Sequence, residues 1–136
     1  MIGKIINLPK HIDPRGNLTV AEQTKNVPFD IARVYWTYDI PAGEWRGGHA
    51  HRTCQEIIIA VSGSFDVTLD DGRGNRETHH LNHPYQGLYV GTNVWRTLED
   101  FSSGAVCLVL ASELYDEEEY IYEYDELVRI RVKNEE

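Results

Sequence analysis

Gly43–Gly63, GEWRGGHAHRTCQEIIIAVSG, is the stretch on which the architecture turns. It holds two histidines one residue apart, His49 and His51, then an apolar run from Ile57 to Val61 and a turn at Ser62-Gly63. On an extended strand, residues i and i+2 point to the same face. His49 and His51 are therefore expected to project together, with Ala50 turned the other way. Two imidazoles on one rigid wall can ligate a metal or carry protons. The run from Gln55 to Val61 reads as a strand covered on both faces, because it does not alternate.

The flanking sequence has the same strand-and-turn grammar. Lys4–Leu8 is a short strand that stops at Pro9, and Asp13-Pro14-Arg15-Gly16-Asn17 is dense turn chemistry leading to a strand at Leu18–Ala21. Ile31–Asp39, IARVYWTYD, is rich in β-branched and aromatic residues. It places Ile31, Arg33, Tyr35 and Thr37 on one face and Ala32, Val34, Trp36 and Tyr38 on the other. The second set is the expected core, and the first pairs a guanidinium with a phenol as a polar site would. Ser64–Leu69 alternates, Asp70–Asn75 is a hairpin turn with Asp-Gly at its centre, and Glu77–Leu81 is the return strand. Tyr85–Val90, Asn93–Leu98 and Ala105–Ala111 follow as strands. Nine or ten short strands at this spacing point to an antiparallel sandwich or barrel. From Glu117 onward the period changes: Tyr120, Ile121, Tyr124, Leu127 and Val128 recur at three and four, a helix face. Asp116–Glu119 then read as the solvated first turn of that helix, where carboxylates favour the dipole.

The 136 residues are expected to form one domain, residues 1–136, large enough for a real core. Thirteen basic against twenty-two acidic side chains leave a net charge of −9, which argues against nucleic acid. No run of 18 apolar residues suggests a membrane span, and the N-terminal MIGKIINLPKHID lacks the apolar core of a signal peptide. Cys54 and Cys107 stand alone, without a CxxC or a disulfide framework, and read as reduced packing residues of a cytoplasmic protein.

The spacing of Gly43, His49, His51, Glu56 and Gly63 resembles the first cupin motif nearly position for position. From about Ile5 to Tyr124 the chain resembles the nucleotide-sugar 3,4-ketoisomerases, the WxcM-like cupins. The stretches that carry the likeness are DPRGNL, ARVYW, RGGHAHR, QEIIIAVSGSFDVTLDDG, GLYVGTNVWRTLEDFS and VLASELYDEEEYI. The resemblance implies an all-β cupin jelly roll (a double-stranded β-helix) with a short C-terminal helix, and a homodimer, often with strands exchanged. It also implies an activity: moving the keto group of a dTDP-4-keto-6-deoxyhexose from C4 to C3, ahead of amination to 3-amino sugars of bacterial surface glycans.

The residue chemistry can be weighed beside that likeness. A metal-dependent cupin would use His49, His51 and Glu56 with a later histidine, but the second motif, Gly91–Arg96, has Arg96 where that histidine belongs. A guanidinium donates only and repels a cation. His79, His80 and His83 sit near a hairpin return and read as surface residues. The expectation is therefore a pocket with no metal and no cofactor. A ketoisomerisation needs a base near neutral pKa to take the C3 proton α to the C4 carbonyl, and a carrier to return one at C4. His49 is the expected base, His51 the orienting partner or second carrier, and Tyr35 the donor to the developing oxyanion. Glu56 would orient a histidine. The diphosphate asks for arginines, whose forks fit phosphate oxygens: Arg33, Arg46 and Arg96, with Arg15 reaching in from the first hairpin or from a dimer mate. Gln55, Tyr89 and Trp95 are further ligand-facing candidates. Epimerisation of the same dTDP-4-keto sugar, or non-catalytic binding of a sugar nucleotide, are the alternatives.

Overall fold

In the computed structural model, which describes residues 1–135, twelve strands build two five-stranded antiparallel sheets and a small hairpin. Glu136, the last residue of the acidic C-terminal pair, lies outside them. The strands are β1 (Gly3–Asn7), β2 (Lys10–His11), β3 (Leu18–Thr19), β4 (Arg33–Thr37), β5 (Arg46–His51), β6 (Glu56–Ser62), β7 (Phe65–Asp70), β8 (Arg76–Leu81), β9 (Gln86–Val90), β10 (Trp95–Glu99), β11 (Val106–Ala111) and β12 (Tyr120–Ile121). One sheet runs β1-β9-β6-β11-β4 and the other β12-β5-β10-β7-β8, with β2 and β3 forming the hairpin. The two sheets pack face to face as a jelly roll.

Alternation along the strands makes the core. Ile58 and Ala60 of β6, Leu88 and Val90 of β9, and Cys107 and Val109 of β11 meet Phe65, Val67 and Leu69 of β7, Leu81 of β8, and Leu98 of β10. The other face of β6 is covered too: Ile57 and Ile59 pack with Leu110 under Leu8, Val27 and Phe29. The unbroken apolar run of β6 is thereby explained, since both its faces are buried.

Two expectations are overturned. Val34, Trp36 and Tyr38 are not core; they are 45%, 57% and 60% exposed. β4 is an edge strand, and the segment through Val27 and Phe29 that covers the outer face of this sheet packs on β6 and β11, leaving the outer face of β4 bare. The face carrying Arg33, Tyr35 and Thr37 is the one turned inward. The helix also starts later than the period suggests. Glu117–Glu119 form a single 3-10 turn capped by Asp116, then β12 pairs with β5, placing Tyr120 opposite His51 and Ile121 opposite Ala50. Among the described residues only Tyr124–Glu135 is α-helix, here α1. It docks by Leu127, which is fully buried beside Ala50 and Ile121 with Trp95 against them. Arg131 reinforces that dock, donating to the carbonyls of Asp71 (2.8 Å) and Asn93 (2.6 Å).

Candidate active site

A β-bulge sets the site. In the β5–β10 pair His49 lies opposite Arg96, Gly47 opposite Thr97 and Arg46 opposite Leu98, so Gly48 is an extra residue on β5. Paired residues share a face, and Leu98 and Arg96 both point inward. Arg46, an odd three residues before His49, therefore joins it on the same side, which regular alternation would forbid. Gly47 and Gly48 have φ of 88° and 79°, and a Cβ on Gly47 would lie 2.8 Å from the Arg96 carbonyl oxygen. Glycine is required there.

The inward side chains enclose a cavity of about 90 Å³ between the sheets, lined by Tyr35, Arg46, His49, Glu56, Arg96 and Cys107 among others. Glu56 is its hub. Its Oε1 accepts from Arg96 Nη1 at 2.6 Å and its Oε2 from the Tyr35 hydroxyl at 2.5 Å, while His51 Nε2 lies 3.3 Å from Oε1. Burial works to raise the Glu56 carboxyl, but His51, Arg96 and Tyr35 outweigh it and bring it down to about 2. The same network pushes the Tyr35 phenol upward, first by burial and then by the Glu56 charge. Tyr35 thus spends its proton on Glu56.

His49 and His51 do share one face, their rings edge to face at 4.9 Å. His49 lines the cavity, and its Nε2 is buried with no partner. Burial, then the charge of Arg96 and the proximity of His51, lower its pKa to about 3, so its ring is neutral at ordinary pH. His51 is fully buried behind it. Its Nδ1 meets Glu119 Oε1, and its ring packs at 4.5 Å from Tyr120, which in turn stacks on Tyr122. Glu119 and Tyr120 escape the sequence reading because the acidic run resembles a helix start. The aromatic–apolar–aromatic alternation of Tyr120-Ile121-Tyr122 was the available strand signal.

His49, His51 and Glu56 offer a metal three ligand atoms within 4.8 Å. They nevertheless suit one poorly. Both Glu56 oxygens already accept protein hydrogen bonds, and one donor is the Arg96 guanidinium, a fixed cation that repels a divalent ion bound to the same carboxylate.

The remaining candidates divide. Arg33 lies beside the site over the Tyr35 and Tyr115 rings, 5.2 and 5.6 Å from their centroids, with buried and unpartnered Nε and Nη2. Arg15 is gripped by Asp13 at 2.9 Å in the exposed first turn and does not line the cavity. Trp95 is on the opposite face of β10 from Arg96 and packs under α1, because strict alternation turns it out when Arg96 turns in. Tyr89 likewise faces outward on β9 against Phe29, and its hydroxyl donates to Gln55 at 2.6 Å, so neither borders the cavity. His79 and His80 pair with Glu77 and Asp66, and His83 stacks on Tyr85, all away from the site. Cys54 and Cys107 are free and buried. Burial, with the Glu56 charge behind it, pushes the Cys107 thiol up to about 12, which leaves it inert.

Comparison with known proteins gives one consistent answer. The family model described as WxcM-like, C-terminal (FdtA) matches residues 1–132. The TDP-4-oxo-6-deoxy-alpha-D-glucose-3,4-oxoisomerase of Aneurinibacillus thermoaerophilus is 47% identical over 125 residues, covering 92% of this chain and 89% of that protein. A mutant of the 3,4-ketoisomerase QdtA from Thermoanaerobacterium thermosaccharolyticum, solved in complex with TDP-4-keto-6-deoxyglucose, superposes with a TM-score of 0.94 at 36% identity, covering 97% of this chain and 95% of that one. The WlaRB TDP-quinovose 3,4-ketoisomerase of Campylobacter jejuni superposes with a TM-score of 0.89 at 47% identity, covering 93% and 97%.

Proposed function

The chain belongs to the WxcM-like, C-terminal (FdtA) family, and from that membership we propose that it is a sugar 3,4-ketoisomerase converting a dTDP-4-keto-6-deoxyhexose to its 3-keto isomer. The observation that carries the reading to particular atoms is His49. Its Nε2 is buried and unpartnered, its ring is neutral, and it lies on the wall of the cavity between the sheets.

In this reading His49 removes the C3 proton, and the electrons of that bond form the C3–C4 double bond as the C4 oxygen becomes an enediolate. The Arg96 guanidinium, opposite His49 and with its buried Nε unpartnered, stabilises that charge, whereas the Tyr35 hydroxyl is committed to Glu56. A proton returns at carbon C4, and the C3 hydroxyl passes its proton to the C4 oxygen, so that C3 becomes the carbonyl and C4 the alcohol. Atoms and electrons balance with no redox partner and no metal. Glu56 fixes Arg96, and His51 is the second carrier. Arg46 and Arg33 at the rim take the diphosphate, and Arg15 contributes from a dimer mate. An anionic substrate in the pocket offsets the field of Arg96 and raises the basicity of His49 above its value in the empty site.

We assign the protein to the cytoplasm, where nucleotide sugars are made; no helix among the described residues is long and apolar enough to cross a membrane. We further propose a homodimer through the outer face of β4, because Val34, Trp36 and Tyr38 form an exposed apolar stripe on an edge strand.

The test is proton NMR of the protein with dTDP-4-keto-6-deoxyglucose in deuterated water. We expect a 3-keto product with deuterium at C4, unchanged by chelator and slowed about 10³-fold or more in His49→Asn. Exchange without relocation of the ketone would assign an epimerase instead. Nucleotide binding with no exchange at all would reduce the protein to a binding module.

A further inference from the structure

The acidic run Asp116–Glu119 has one buried member, Glu119, and its carboxylate is oriented from several directions. Asp116 caps the 3-10 turn, its Oδ1 accepting from the Glu118 amide at 3.0 Å. The Arg52 amide donates to the Glu119 carbonyl at 2.8 Å, which ties the turn to the end of β5. Oε2 faces the amides of Thr53 and Cys54, each at 3.3 Å. That leaves Oε1 aimed at His51 Nδ1. An ionised carboxylate only accepts, so Nδ1 must carry the hydrogen. The opposite nitrogen, Nε2, points toward Glu56 without forming a hydrogen bond. Around the ring stand His49, Cys54, Glu56, Glu119 and Tyr120, and none of them except Glu119 engages Nδ1.

The geometry points to Glu119 as a positioning residue: it holds one proton permanently on His51 Nδ1, so that Nε2, facing Glu56 at 3.3 Å, is the one ring nitrogen left to exchange a proton toward the site. A His51 ring free to choose its tautomer would also populate the Nε2–H form, which fills the nitrogen that faces Glu56. With Glu119 in place, proton traffic at His51 has one port. The role of that port in turnover rests on the ketoisomerase reading above; the tautomer does not.

Glu119→Gln tests it sharply. The Thr53 and Cys54 amides claim the amide oxygen of the new side chain, which turns its NH2 toward Nδ1. Two donors cannot face each other, so the proton must move to Nε2. In protein labelled with 15N-histidine, we expect the His51 Nδ1, assigned through its own backbone amide, to be protonated throughout the stable pH range in the unaltered protein. In Glu119→Gln we expect the Nε2–H form. Turnover of dTDP-4-keto-6-deoxyglucose should fall between about 10²- and 10⁴-fold in kcat, as wrong-tautomer variants do. KM, TDP binding and the melting temperature should stay close to the parent values.

Three results would overturn the proposal: an unprotonated Nδ1 in the unaltered protein, parental kcat in Glu119→Gln, or a loss of kcat matched by equal losses of TDP binding and melting temperature. The first measurement needs no variant and no substrate. If the protein proves inactive on this sugar, the tautomer still decides the role of Glu119, and the two ideas fail separately.

Discussion

Glu56 and Arg96 form a buried ion pair whose two sides depend on each other. Arg96 is 1% exposed, and its Nη1 lies 2.6 Å from Glu56 Oε1 while its Nη2 donates to the Val94 carbonyl at 3.0 Å. Removing one member of such a pair leaves an uncompensated charge in a low-dielectric interior. Arg96→Met keeps the volume and deletes the cation. We expect it to destabilise the fold by about 3–5 kcal/mol in urea unfolding. The same change should raise the pKa of His49, because the Arg96 charge is the second of the causes that hold it down. A stability equal to the parent's would show that the pair contributes less than its burial implies.

The bulge of β5 does at the level of a strand what no single side chain can do. By inserting Gly48 it brings Arg46 to the cavity side with His49, and it closes β5 against β10 so tightly that Gly47 has no room for a methyl group. Gly47→Ala would combine a positive φ with a 2.8 Å clash against backbone. The expected cost is about 1–3 kcal/mol in thermal or chemical unfolding. Activity should fall more steeply than stability, since the displaced segment carries His49. Gly104→Ala is the control: its φ is 75°, but nothing lies within 4 Å of the added Cβ and the site is not involved. β12 shows the opposite lesson. Its two residues look helical by spacing, yet pairing with β5 wins, because Tyr120 then covers the histidines and Ile121 covers Ala50.

For the assembled molecule, two properties follow from the placement of charge and apolar surface. His49 takes up a proton near 6.5 when unfolded but only near 3 when folded. Between those values the unfolded chain binds more protons, so stability is complete above about pH 6.5 and falls as the pH drops toward 3. Glu56, whose carboxyl moves from 4.5 to about 2, adds a second loss below pH 4.5. Calorimetry from pH 7 to pH 4 should show a falling melting temperature, with a shallower slope in His49→Gln. Equal slopes would mean that His49 does not bear the acid sensitivity. The exposed stripe on β4 makes the second prediction: Trp36→Glu should convert a dimer to a monomer in sedimentation equilibrium while the fold persists. A monomeric parent protein would rule that interface out.

Much of this was legible in the order of residues because strand periodicity is local. The pairing of His49 with His51, the two-sided burial of β6 and the hairpin at Asp71-Gly72 each need only a few neighbours, and the motif spacing around them carried the fold. The arginine at position 96 likewise announced a cation in the site. What local pattern cannot specify is which face of a strand turns inward. On β4 the apolar face lost to the polar one, since the cavity lay on one side and no covering segment among the described residues reached the other. Nor can it specify partners across long separations. Glu119 meets His51 from 68 positions away, and Arg96 meets Glu56 from 40. Those contacts exist because two sheets close on each other and a short strand docks on their edge. Burial then excludes the water that would otherwise have satisfied each of these groups separately.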